Sequence, residues 1–250
     1  ETATFGAGEA NETTLTSAGS YDIFVAKYAP SGALLWAKQA GGTSSAWGDG
    51  IATDGSGNSL VTGSFEGTAT FGAGEANETS LTSAGGPDIF VAKYASSGAL
   101  LWAKQAGGAD YDEGEGIAID GSGNCLVTGF FEGTATFGAG EANETTLTSA
   151  GNFDIFVAKY APSGALLWAK QAGGIYSDQG YGLAIDGSGN CLVTGSFEGT
   201  ATFGAGANQT PLTSAGGDDI FVAKYGKSAT QVPSTMLLLD DEAPIPGRRR

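Results

Sequence analysis

Residues Asp154–Gly174 read DIFVAKYAPSGALLWAKQAGG, two short apolar runs joined by Ala-Pro-Ser-Gly. In the first run Ile155 and Val157 point one way while Phe156, Ala158 and Tyr160 point the other, so both faces are apolar. In the second run Leu166 and Trp168 oppose Leu167 and Ala169 in the same manner. Neither run carries helical periodicity or caps, and β-branched and aromatic residues between turn signals read as strands. A two-layer sandwich leaves one face of each sheet polar. Strands apolar on both faces predict small sheets stacked face to face, as in the blades of a β-propeller.

Working outward, the same stretch recurs at residues 22–42 and, with Ser96 in place of proline, at 88–108. Phe5, Phe71, Phe137 and Phe203 are each 66 residues apart, and Thr2–Thr13 (TATFGAGEANET) returns unchanged at Thr68–Thr79 and Thr134–Thr145. A fixed period of this length marks a repeat architecture in which each copy is one supersecondary unit. Two further runs complete the unit: Gly182–Asp186 (GLAID), a Gly-Ser-Gly-Asn turn, and Cys191–Phe197 (CLVTGSF), which Thr200–Phe203 continues. The expected unit has four main strands: a (GIAID), b (CLVTGSF), c (DIFVAKY) and d (ALLWAKQ).

The count of units is uneven. Strands c and d come first without a and b, and after Asp219–Tyr225 no ALLWAKQ follows. Two complete blades therefore stand between two partial ones. Either the partial ends close a small propeller of about four blades, with Thr235–Leu239 (TMLLL) as a substitute outer strand, or the arc stays open and exposes sheet edges. The expected division is a repeat domain over residues 1–225 and a tail over 226–250.

The motifs D-x-F-V-A-K, S-G-x-L-L-W and G-I-A-x-D-x-x-G-N followed by V-T-G resemble the SBBP family of bacterial β-propeller repeats, over residues 1 to about 225. The resemblance implies an exported bacterial protein with a propeller fold, extracellular or on the cell surface. It implies no common reaction.

Composition narrows the chemistry. With 27 acidic and 11 basic residues the net charge is −16, which disfavours nucleic acid as a partner because phosphate binding needs clustered Lys and Arg. No histidine is present, which removes Ser-His-Asp and Cys-His catalysis and His-ligated zinc. Cys125 and Cys191 occupy equivalent positions in adjacent units, too far apart for a disulfide, and read as buried thiols. No run approaches the ~20 apolar residues that span a bilayer. The chain begins at Glu1 with neither Met nor an apolar leader, which reads as a processed protein or a fragment.

Function has to be sought where the copies differ. The segments between strands d and a are TSSAWGDG (43–50), ADYDEGEG (109–116) and IYSDQGYG (175–182), and the residues before DIF also change. In a four-stranded up-and-down blade the d–a and b–c loops share one end. The candidate ligand-binding residues there are Tyr21, Trp47, Asp49, Tyr111, Asp112, Glu113, Phe153, Tyr176, Asp178 and Tyr181. Aromatic platforms beside carboxylates suit sugars and proteins equally. Simple drift of surface loops is the plainer alternative.

Other motifs read as structure. Asp-Gly-Ser-Gly-Asn in each copy makes an Asx-type turn and lacks the spacing of a calcium loop. Asn-Glu-Thr at 11, 77 and 143 matches a glycosylation acceptor but reads as a capped loop. The tail from Gln231 to Arg250 resembles a degraded PEP-CTERM sorting signal, interrupted by Asp240, Asp241, Glu242 and two prolines. No catalytic residue, metal site or cofactor is expected. The expected function is a non-enzymatic surface or matrix module that binds a glycan or protein through the d–a and b–c loops. The alternative is a self-assembling structural subunit, a homo-oligomer closed by complementation of incomplete blades.

Overall fold

The structure, a computed structural model, describes residues 1–226 and Met236–Leu238. The first unit supplies β1 (Thr2–Phe5), β2 (Thr13–Thr16), β3 (Ile23–Tyr28) and β4 (Leu34–Gly41). The second comprises β5 (Ala46–Thr53), β6 (Ser59–Phe65), β7 (Thr68–Phe71), β8 (Thr79–Thr82), β9 (Asp88–Tyr94) and β10 (Leu100–Gly107). In the third, β11 (Asp112–Ile119), β12 (Cys125–Phe137), β13 (Thr145–Tyr160) and β14 (Leu166–Ala172) are longer and fewer. The fourth contains β15 (Asp178–Ile185), β16 (Cys191–Phe197), β17 (Thr200–Phe203), β18 (Thr210–Thr213), β19 (Asp219–Tyr225) and β20 (Met236–Leu238).

Every pairing is antiparallel, in the order a-b-c-d. The second sheet is β5-β6-β9-β10, the third β11-β12-β13-β14 and the fourth β15-β16-β19-β20. Met236–Leu238 lies in the outer position beside β19, with Val222 opposite Leu237. The remainder of the tail, with the rest of the segment resembling a sorting signal, lies outside the described residues.

The connection between strands b and c departs from the expectation. Thr68–Phe71 and Thr200–Phe203 do not extend strand b; each forms a separate hairpin with the following Thr-rich run. In the third unit the hairpin runs straight out of β12 and into β13. Its first arm pairs with the outer strand of the preceding sheet, Ala40 opposite Phe71 and Ala106 opposite Phe137. A unit therefore has six strand segments, and the extra hairpin ties each blade to the one before it. The Asn-Glu-Thr motifs serve this hairpin. Asn11, Asn77 and Asn143 donate to the carbonyls of Leu34, Leu100 and Leu166, each at 3.0 Å. Glu75 and Glu141 pair with Lys38 and Lys104 of the preceding outer strand at 2.6 Å.

The two apolar faces find each other in sequence. Ile23 and Val25 pack with Phe90, Ala92 and Tyr94. Ile89 and Val91 pack with Phe156, Ala158 and Tyr160, and Ile155 and Val157 with Phe221, Ala223 and Tyr225. Each junction thus joins the Ile/Val face of one sheet to the Phe/Ala/Tyr face of the next. The innermost strands approach closely because each carries Gly-x-Gly. A Cβ on Gly50 would lie 2.5 Å from the Glu115 carbonyl oxygen, and one on Gly116 would lie 2.7 Å from that of Tyr181. The result is a four-unit propeller arc. Among the described residues no extended packing joins the fourth sheet back to the first.

Candidate functional site

Most residues expected in the d–a loops belong to strand a itself, because β5 begins at Ala46, β11 at Asp112 and β15 at Asp178. All three strands carry a bulge at one place, where pairing skips Asp49, Glu115 and Tyr181. A bulge leaves its extra residue unpaired and re-aims its side chain. The glycines on either side are constant while the bulged residue changes in every unit. Close contact between neighbouring innermost strands therefore sets three different residues, Asp49, Glu115 and Tyr181, at successive positions along these strands.

Aromatic groups lie at the same end of the sheets. Tyr21 and Trp47 are both exposed, with ring centroids 6.4 Å apart. Tyr111 stacks on Phe130 at 5.9 Å, and Phe153 meets Phe130 edge-on at 4.9 Å. Tyr176 lies over Gly199, its Cε2 only 2.7 Å from where a Cβ would be, and nearly half of it is exposed. Tyr181 donates to Gln179 at 2.6 Å and meets Ser196 at 3.3 Å.

The carboxylates at this end are coupled. Tyr111 donates to Glu113 Oε2 at 2.7 Å. Partial burial, reinforced by the charge of Glu113, raises Asp49 to about 6. Glu115 is raised by burial and by Glu113 and Asp49. At about 6, Asp49 takes up a proton at a higher pH than an ordinary carboxylate does. Among the described residues no three acidic, histidine or cysteine side chains converge as metal ligands.

Two expected site residues do not belong to this surface. Asp112 and Asp178 are fully buried at the junctions between sheets. Asp112 accepts from the Gly108 amide at 2.7 Å and Asp178 from the Gly174 amide at 2.6 Å, which pins the turn into strand a. An acid in a variable segment reads as exposed; burial by the neighbouring sheet overrides that reading. Phe130 was not anticipated, yet CLVTGFF against SLVTGSF and CLVTGSF marks it as a place where one copy departs.

The opposite end of the sheets is repetitive. Asp54 Oδ1 accepts from the amides of Ser56 and Asn58, and its Oδ2 pairs with Lys93 at 3.0 Å. The Asp of DGSGN is therefore engaged in its own turn and in an ion pair. A cleft of about 740 Å³ lies there, lined by Asp120, Asn124, Lys159 and Asp186, groups present in every complete unit.

This geometry agrees with the comparisons. The SBBP family, described as a beta-propeller repeat, matches residues 35–64, 101–129 and 167–196. Each match starts in an outer strand d and ends in the following strand b, so it spans a blade junction. The chain is also 25% identical over 199 residues to an uncharacterized WD repeat-containing protein of Acanthamoeba polyphaga mimivirus. That alignment covers 70% of this chain and 14% of the viral protein, so the chain spans about a seventh of that relative. Tandem propeller repeats form a binding and scaffold architecture with no fixed reaction. Three repeat matches, set on three consecutive blade junctions, place SBBP-type β-propeller repeats along residues 35–196 of this chain.

Proposed function

We propose that the chain is a non-enzymatic module that binds a glycan or a protein through the end of the sheets where strand a begins. One observation carries this reading. The side chains that differ between otherwise copied units gather at that end, where Trp47 and Tyr176 expose aromatic surface and Tyr111 bonds Glu113. Aromatic faces stack on sugar C–H groups or on apolar side chains, and carboxylates hydrogen-bond to hydroxyls or amides. An exported, cell-surface setting is part of the proposal and rests on the family resemblance alone.

The test is the triple variant Trp47→Ala, Tyr111→Ala and Tyr176→Ala on a glycan and matrix-protein array. Retention of the parent chain and its loss in the triple variant support the reading; equal retention of both removes this end from consideration.

A second reading, a structural subunit that assembles with itself, is favoured by the open apolar faces of the first and fourth sheets.

A further inference from the structure

The three internal junctions follow one rule, an Ile/Val face against a Phe/Ala/Tyr face. The rule leaves one face of each kind over. On the first sheet Phe24 is 61% exposed and Tyr28 50%, while their equivalents Phe90 and Tyr94 are 0% and 1% exposed. On the fourth sheet Ile220 is 49% exposed, while its equivalents Ile89 and Ile155 are 0% and 1%. Leu192 and Val222, on the same face as Ile220, are only half-buried. The two open faces are chemically the two halves of a junction that the chain already builds three times.

We infer that a second copy of this chain docks head to tail, its Phe24–Ala26–Tyr28 face seated on the Ile220–Val222 face of the first. This rests on the structural-subunit reading and specifies its partner and its surface. The occupant follows from sequence identity. The residues of β3 and β19 are those of β9 and β13 at every position from the Ile to the Tyr, so a second copy presents the side chains that fit within the chain. Lys224, paired with Asp186 at 2.8 Å and partly open, would be covered as Lys93 and its Asp54 partner are covered internally.

The contact uses different surfaces on the two copies, so it is heterologous: it propagates into a filament or closes into a ring instead of stopping at a two-fold dimer. It is also weaker than its internal models. Trp36 and Trp102 donate across their junctions to the carbonyls of Ser96 and Pro162 at 3.1 Å, whereas no tryptophan follows β19 in the sequence to make that bond. Assembly is therefore reversible and depends on concentration.

The experiment is sedimentation velocity of the whole chain across a concentration series, with two variants. Phe24→Asp/Tyr28→Asp disables the head face, and Ile220→Asp/Val222→Asp the tail face. The parent is expected to gain mass with concentration, each variant to remain monomeric, and their equimolar mixture to form a one-to-one dimer and nothing larger. The mixed dimer also controls for folding, since each variant must present its intact face. The milder Tyr28→Ser and Ile220→Ser variants, with thermal melts, serve if an aspartate disrupts a sheet. A parent that is monomeric throughout overturns both this docking and the structural-subunit reading. Assembly that persists in both variants leaves the subunit reading standing and removes this docking.

Discussion

Asp88 and Asp112 stand on either side of Gly107: a Cβ placed on that glycine would lie 2.7 Å from Asp88 Oδ1 and 2.8 Å from Asp112 Oδ2. Both carboxyls are fully buried, and Oδ1 of each has no hydrogen-bond partner. Burial pushes Asp88 up to about 6; burial and then the charge of Asp88 push Asp112 up to about 8. The next junction repeats the arrangement, with Asp154 raised to about 7 and Asp178 to about 6, chiefly by burial. At the first junction Ala46 stands where Asp112 would be, and Asp22 has no such neighbour.

These groups make stability depend on pH. Their folded pKa values lie above the unfolded value of 3.8, so the folded chain holds more protons than the unfolded chain. Their favourable contribution is complete below about pH 4 and is lost as pH rises toward 8. Asp112→Asn keeps an acceptor for the Gly108 amide and removes the titration. Denaturant unfolding at pH 5 and pH 8.5 is expected to show the variant gaining on the order of 1–3 kcal/mol at the higher pH, with a flatter profile. An unchanged slope between the two pH values contradicts this account.

Gly108 separates a backbone constraint from general sensitivity. A Cβ there would collide with the carbonyl oxygen of Thr134, which belongs to the hairpin and cannot move aside, whereas one on Gly121 meets nothing within 4 Å. Gly108→Ala is expected to cost about 3 kcal/mol or more, and Gly121→Ala less than ~0.5 kcal/mol, in the same denaturation assay. Equal effects would show that the hairpin does not fix this approach.

The Lys–Asp pairs carry a position effect. Lys93 and Asp54 have side chains 7% and 10% exposed, while Lys224 and Asp186 are 33% and 26% exposed. Asp54→Asn leaves a buried ammonium without its counter-charge, at a cost on the order of 2–3 kcal/mol by thermal or denaturant unfolding. Asp186→Asn, at the open end, is expected to cost measurably less. Hydrogen bonds to the carboxylate from Asn58, Lys93 and Ser56 outweigh desolvation and hold Asp54 well below the usual carboxylate range. Its contribution is present above about pH 4 and falls away only in strong acid.

Cys125 and Cys191 are buried free thiols, and burial raises both, Cys191 to about 12. Neither supplies thiolate at neutral pH. A thiol-titrating disulfide reagent is expected to find no reactive group in the folded chain and two per chain after denaturation. Rapid reaction of either in native buffer would place it outside a junction.

How much of this was legible varied with the kind of interaction. The Ile/Val and Phe/Ala/Tyr alternation of DIFVAKY announced burial on both faces, because side chains alternate strictly along a strand. The bulges look like loops in the sequence, since Gly-Asp-Gly, Gly-Glu-Gly and Gly-Tyr-Gly resemble turn signals when the neighbouring strand is unknown. The Thr-rich hairpin arms are only four residues long, too short to stand apart from strand b in the sequence. Phe130 could have been found by comparing copies, as Trp47 and Tyr111 were.

The order of residues alone determined that this chain is a stack of near-identical four-stranded sheets, because periodicity and two-sided apolarity are local properties that no distant contact alters. Tertiary structure alone decided which acids are exposed and which faces stay open. Asp112 and Glu113 are adjacent in sequence, yet one is sealed between sheets and the other holds Tyr111. Phe24 and Phe90 share the same local sequence, yet only Phe90 has a sheet in front of it. Burial belongs to neighbours, and neighbours exist only once the chain has folded.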